Sequence, residues 1–450
     1  MSQHTPHGVV GNVVRGCLGN LVEWYDWFVY ASFSIYFAAS FFPQGNMTAQ
    51  LLSTAVVFAV GFVIRPLGGW LLGLYADRHG RRAALTLSVT LMSFGSLAIA
   101  ITPSYSAIGI AAPIILVAAR LVQGLSVGGE FGSSATYLAE VATPRRRGFY
   151  SSFQYVSITL GQLAALLVMI ALQSFLDDRQ MSSWGWRVPF VIGAIAGLVV
   201  MYLRRSMTES THFRREQART GGRPQGGLRI LLTRHPKQLI AVFGLAIGGS
   251  VAFYTYTTYL QKYLVNTAGI AKPTASLIGF SALFVFMLLQ PVAGLWSDRW
   301  GRRPIMFGFA IGSMVLTVPI MTVLGGTRNP WTAFLLMTTA LVFLTGYTAL
   351  SAIIKAEMFP TEVRALGVGL PHALVAATFG GLSEPIALWL KQAGHESTYF
   401  WWVTGCIGLT FLATLLVREP LHRSTLDDPA NGGAGSLPGS PSPHLSRDAR

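Results

Sequence analysis

The sequence predicts an all-α membrane protein of twelve transmembrane helices in two pseudo-symmetric six-helix bundles. Three observations lead there. Of 450 residues, 52% are hydrophobic and 11% charged, against roughly 25% charged in an ordinary soluble chain, which leaves too few charges to coat a soluble core of this size. Apolar windows of about 20 residues, the length that crosses a bilayer as a helix, recur twelve times between polar or Gly/Pro-rich turns. Finally, the turn GLYADRHGRR at 73–82 returns as GLWSDRWGRR at 294–303, each time after a long apolar run.

The expected spans of the first half lie near 14–42, 51–75, 83–102, 109–138, 149–176 and 187–204. Those of the second lie near 238–265, 274–297, 304–324, 331–354, 366–391 and 398–417. The N-terminal MSQHTPHGVV has neither a basic region nor a small-residue cleavage site ahead of the first span, so no removable signal peptide is expected. Cys17 and Cys406 fall inside apolar spans and read as packing residues rather than a disulfide framework. The basic stretch at 204–237 separates the halves. The expected divisions are a cytoplasmic tail at 1–10, an N-terminal bundle at 11–204, a cytoplasmic linker at 205–237, a C-terminal bundle at 238–418 and a disordered Pro/Gly/Ser-rich cytoplasmic tail at 419–450.

A net charge of +15 raises the question of nucleic acid, and its distribution answers it. With a cytoplasmic N-terminus, the cytoplasmic loops carry 20 Lys/Arg and the external loops four. That asymmetry is the positive-inside pattern and puts both termini in the cytoplasm. No basic module interleaved with aromatics suggests nucleic-acid readout. Arg65, Arg120, Arg187 and Lys262 remain in or at the mouths of spans, as do Glu23, Asp26, Glu130 and Glu384. Each costs roughly 2.5–3.5 kcal/mol at a helix centre unless it faces a polar interior, so a polar pathway between helices is expected.

Parallel halves with a substrate site between them describe a transporter that works by rocking-type alternating access. A second echo supports the repeat: YLAEVATPRRRG at 137–148 and IKAEMFPTEVRALG at 354–367. In the repeated turns Gly73, Asp77, Gly80 and Arg81 correspond to Gly294, Asp298, Gly301 and Arg302. Asp77 and Asp298 can neutralise helix N-termini, while Arg81 and Arg302 can pair with Glu140 and Glu357, making a gate that closes in one state and breaks in the other. The alternative is that these charges serve topology alone.

The turn G-x-x-x-D-R-x-G-R-R, its copy, and Arg120-Leu-Val-Gln123-Gly124 resemble the signatures of the major facilitator superfamily. GNLVEWYDWFVY, FVIRPLGGWLLGLYADRHGRR and LVQGLSVGGEFGSSATYLAEVA resemble the metabolite:proton symporter family within it. That family carries organic acids, shikimate-like compounds and zwitterionic osmolytes with protons. FYTYTTYLQKYLVNTAGI, SALFVFMLLQP and IIKAEMFPTEVRALGVGL are similar to its 2-oxoglutarate-carrying branch. The resemblance implies proton-coupled uptake of 2-oxoglutarate or a related dicarboxylate. Citrate, shikimate, proline or betaine, or export by the same fold, are the alternatives. His372 stands where that branch is expected to carry a tyrosine.

Glu23 and Asp26 share one face of the first helix, and Tyr30 extends it. Burial favours the neutral form of a carboxyl group, which suits it to carry a proton. Glu23 is the first proton-site candidate, with Asp26 beside it; for both, a plain ion pair with Arg65 or Arg120 is the other reading. Arg120 does not readily release a proton and would act by its field on a carboxyl. A dianion wants two cationic clamps, since guanidinium grips a carboxylate through two donors and lysine offers a point charge. Arg65, deep in the second span before Pro66, is the leading anchor. Lys262 lies beyond Tyr254, Tyr256 and Tyr259, whose hydroxyls can bond a ketone or carboxylate. Arg187 either attracts anions or reaches to the interface. Gln154 and Tyr155 offer neutral contacts to substrate or to neighbouring helices, and Glu384 with His372 forms a second possible pair.

Energetics favour symport for a dianion, because at 100 mV inside-negative its entry costs about 4.6 kcal/mol, twice the cost per charge. With no P-loop, ATP is not expected as the energy source, and no Cys/His spacing suggests a metal or an enzyme centre. The expected partners are a small organic acid, protons as coupling ion and the bilayer. No cofactor or nucleic acid is expected, the chain is read as a monomer, and its place is the cell (inner) membrane.

Overall fold

The computed structural model describes residues 6–43, 45–79, 81–128, 135, 138, 139, 142, 144–205, 227–360 and 363–417. All regular structure in them is helical. Helix α1 spans Pro6–Phe41. Helix α2 comes in two pieces, Met47–Val63 and Arg65–His79. Helices α3 (Arg81–Ile101), α4 (Ala111–Val127), α5 (Arg147–Phe175) and α6 (Val188–Arg205) complete the first half. The second half begins with α7, which runs from Pro236–Tyr254 through a π turn at Thr255–Tyr259 to Leu260–Asn266. It continues with α8 (Lys272–Trp300), α9 (Arg302–Gly326) and α10 (Pro330–Glu357). Helix α11 runs from Arg364–Val375 through a π turn at Ala376–Gly380 to Ser383–Gln392, and α12 covers Glu396–Leu416.

Local chemistry accounts for the ends and breaks. Asn46 caps α2 by accepting from the Ala49 amide at 2.9 Å, and Asn329 caps α10 by accepting from Trp331 at 2.9 Å. Pro236 and Pro330 open their helices, where a missing amide hydrogen costs nothing. Pro66 stands inside α2 and removes a bond to the preceding turn. The helix breaks at Ile64, directly before Arg65. Gly301 turns α8 into α9 at φ 93°, a backbone shape that a side chain would strain.

Among the described residues, nine helices are long and apolar enough to cross a membrane, with shorter apolar helices at Thr86–Ile101 and Ala111–Val127. With α1 these make the twelve spans. The arrangement is inside-out relative to a soluble protein. Large apolar side chains such as Phe94, Ile114, Phe175, Val315 and Trp331 face outward, whereas Asp26, Arg65, Arg120, Lys262, Lys355 and Glu384 are buried between helices. The halves meet where α5 packs along α8 and α10 and where α2 packs on α11.

Two boundaries differ from expectation. Helix α1 starts at Pro6, ahead of the expected bundle edge at 11. A helix at Gly227–Arg234 lies within the expected linker, because Leu231 is fully buried with Val242, Phe359 and Val363 and so ties that segment to the second half.

Candidate substrate and coupling site

The helix break before Pro66 sets Arg65 among aromatic rings. Its guanidinium carbon lies 4.0 Å from the Trp27 ring centroid, 4.1 Å from Phe62 and 5.6 Å from Trp24. Arg65 Nε and Nη2 are buried and have no hydrogen-bond partner among the described residues. Its polar neighbour across the halves is Tyr254 of α7, whose ring meets Phe62 edge-on at 5.0 Å. Cation–π attraction supplies about 2 kcal/mol for a desolvated cation, against several kcal/mol lost in leaving water. The rings alone do not balance the charge. Guanidinium N–H donors in such a setting are suited to grip a carboxylate through two bonds.

Arg120 of α4 is placed differently. It is fully buried, with its guanidinium 4.0 Å from Trp27 and 4.4 Å from Tyr30, and it donates to Gln123 Oε1 at 2.8 Å. Gln123 Nε2 in turn donates to Ser96 at 2.8 Å and to Asp26 at 3.3 Å, and Ser96 donates to the same Asp26 oxygen. Asp26 and Arg120 are therefore joined through one amide, and Trp27 lies against both arginines. Both carboxylate oxygens of Glu23 are buried with no hydrogen-bond partner among the described residues. Glu23 and Asp26 together line a cleft between α1, α3 and α6, bounded by Ser93, Gly193 and Gly197. The ion pair of Arg65 with either acid, one of the two readings of the sequence, is not formed.

In the second half, Lys262 of α7 donates to Glu384 of α11 in a buried ion pair. Tyr259 donates to Glu396 at 3.3 Å, and Tyr256 bonds Thr317 at 2.5 Å. Gln154 is buried in α5. Arg187 donates to the carbonyls of Ala100 and Thr102 at 2.8 and 2.6 Å, closing the end of α3, so it is not brought to Arg65. Two further buried polar residues near these helices were not singled out in the sequence. Lys355, counted there among cytoplasmic loop charges, is buried in the last turn of α10, where its Nζ donates to Ser351 at 2.8 Å and meets His372 Nδ1 at 3.2 Å. Gln162 of α5 donates to the Thr257 carbonyl at 2.6 Å, a cross-half bond to a π turn, whose register leaves carbonyls for other donors.

The gate residues of the second copy are assembled. Arg302, fully buried, donates to Asp298 at 2.7 Å and to Ser297 at 2.7 Å, and reaches Glu357 at 3.3 Å. Asp298 accepts from the amides of Gly148 and Phe149 at 2.8 and 3.0 Å, so it caps the start of α5 from the opposite half. The backbones approach so closely that a Cβ on Gly148 would stand 2.6 Å from the Gly294 carbonyl oxygen. Of the first copy, Gly73, Asp77 and Arg81 are described only as helix positions, and Gly80 and Glu140 lie outside the described residues, as does Glu130.

Residues 13–228 match the family described as sugar (and other) transporter, and 242–446 that described as major facilitator superfamily. The chain is 50% identical over 411 residues to the alpha-ketoglutarate permease of Escherichia coli (strain K12), covering 91% of this chain and 93% of that protein. It is 33% identical to a citrate-proton symporter of Salmonella typhi, covering 93% and 97%, and 30% identical to a proline/betaine transporter of Salmonella typhimurium, covering 91% and 84%. The structure of a proton:xylose symporter bound to 6-bromo-6-deoxy-D-glucose superposes with a TM-score of 0.74 at 20% identity, over 93% of this chain and 98% of that one. At that identity the likeness is one of fold.

Proposed function

Since the chain belongs to the major facilitator superfamily, and within it to the family of the alpha-ketoglutarate permease and the citrate-proton symporter, we propose that it takes up a dicarboxylate such as 2-oxoglutarate with protons, by alternating access. The observation that carries this reading is Arg65, a buried cation between the halves that has Tyr254 of the second half beside it and no carboxylate partner among the described residues, its Nε and Nη2 being without a hydrogen bond there. One substrate carboxylate takes those donors.

Charge balance then couples proton to substrate. Asp26 offsets Arg120 through Gln123, and Arg65 and Arg120 both lie against Trp27. A proton on Asp26 removes that offset and leaves two guanidiniums facing one indole. An anion bound at Arg65 restores the balance, so proton and substrate each favour the other's binding, a reciprocal linkage. Glu23, in the same cleft, hands protons to Asp26. Asp298 holds the start of α5 in the state described, and its release opens that end. Both termini lie in the cytoplasm, the unit is a monomer in the inner membrane, and it moves its substrate unchanged, with protons and no bound cofactor.

Competition in reconstituted vesicles tests the substrate. Unlabelled 2-oxoglutarate should displace labelled 2-oxoglutarate uptake, with citrate and betaine much weaker. Displacement by betaine alone would move the reading to zwitterions.

A further inference from the structure

Lys262 is engaged by Glu384, so a dianion held by Arg65 needs a second cation from elsewhere. Lys355 is 1% exposed, stands on α10 of the opposite half, and points its Nζ at Ser351 and at the His372 ring of α11. It also lies 5.8 Å from the Tyr347 ring. The same imidazole lies within electrostatic range of Arg65 as well as of Lys355. Tyr254, beside Arg65, packs against Gly380 of the α11 π turn, and His372, beside Lys355, stands on the same helix.

We propose that Lys355, steadied by Ser351 and His372, is the second carboxylate clamp, so that the substrate bridges Arg65 of the first half to Lys355 of the second. This rests on the dicarboxylate reading and assigns its other end. The arrangement has a mechanical consequence. Two like charges, one on each half, repel across a low-dielectric site when it is empty, and one dianion neutralises both and draws the halves together. A monoacid satisfies one cation and leaves the repulsion of the other. His372 contributes a ring nitrogen beside Lys355 as a further hydrogen-bonding group.

The test is calorimetric binding of 2-oxoglutarate and of its two monoacid analogues, 2-oxopentanoate and 4-oxopentanoate, to the purified full chain and to Lys355→Gln and Lys355→Arg. Wild type should prefer the dicarboxylate. Lys355→Gln should bind 2-oxoglutarate at least tenfold more weakly while binding one of the monoacids within about twofold of wild type, since a charge-assisted hydrogen bond is removed from one end only. Lys355→Arg should keep the preference for the dicarboxylate. Lys355→Met, similar in length and uncharged, makes the same comparison should Lys355→Gln not fold. A folded, uncharged variant that retains the full dicarboxylate preference overturns the assignment of Lys355 alone. An equal loss for all three ligands does so too, because that is what a packing role produces. Wild type that binds none of the three overturns the dicarboxylate reading and this assignment with it.

Discussion

At the scale of single residues, two arginines that sit alike in the sequence, Arg65 and Arg120, are placed differently in the structure. Both lie on aromatic rings and both keep Nε and Nη2 without a partner among the described residues, but Arg120 has an amide route to an acid, whereas Arg65 has Tyr254 of the second half as its polar neighbour. Arg65→Lys keeps the charge and loses the planar fork. Its 2-oxoglutarate affinity should fall at least tenfold, with Arg65→Ala worse, since charged hydrogen bonds are worth about 1.5–3 kcal/mol each. Titration calorimetry on the purified variants decides it, and wild-type affinity in folded Arg65→Lys would remove Arg65 as anchor. Asp26→Asn imitates the protonated acid. It should bind substrate at least as tightly as wild type, lose the pH dependence of binding, exchange substrate across the membrane and fail to accumulate it. Glu23→Gln, one helical turn away, should accumulate substrate more slowly but to the same level. Full pH-driven accumulation by Asp26→Asn would transfer the coupling role to Glu23.

Among elements, the meeting of α5 with α8 is the most constrained. Asp298 bonds two amides of the opposite half, and Gly148 and Gly294 bring their backbones into contact. A methyl group on Gly148 meets the backbone of α8, which cannot yield as a flexible side chain would. Gly148→Ala should therefore force this end apart and favour the open arrangement. Spin labels on α5 and α8 should report a longer distance in the variant, and an unchanged distance with normal transport would count against the latch. Much of this was written in the repeated turn, where Gly, Asp and Arg recur at fixed places. The π turns of α7 and α11 were not. Thr255–Tyr259 and Ala376–Gly380 carry no residue type that demands a wider turn, because that register is set by the neighbours across the bundle.

For the whole molecule, twelve apolar windows and an internal echo were enough to reach the architecture, since a bilayer leaves the backbone little choice but helix. The charges that interrupt long apolar runs, Asp26, Arg65 and Arg120, were legible for the same reason. Lys355 was hidden by its surroundings: it falls in the charge-dense KAEMFPTEVR, which reads as a loop, while α10 carries it one turn further inside. The pairing of Lys262 with Glu384 was hidden by a separation of 122 residues, which no local pattern spans. Both omissions concern which side chains lie between the helices and what they meet there, a property of how the helices associate.

The central claim is that a proton and a dicarboxylate enter together. It is tested most directly by labelled 2-oxoglutarate uptake into vesicles containing only the purified chain, with the membrane potential clamped and an inward proton gradient imposed. Transient accumulation above equilibrium, abolished by a protonophore and by Asp26→Asn, is the predicted result. Uptake that only equilibrates, whatever the proton gradient, would contradict it.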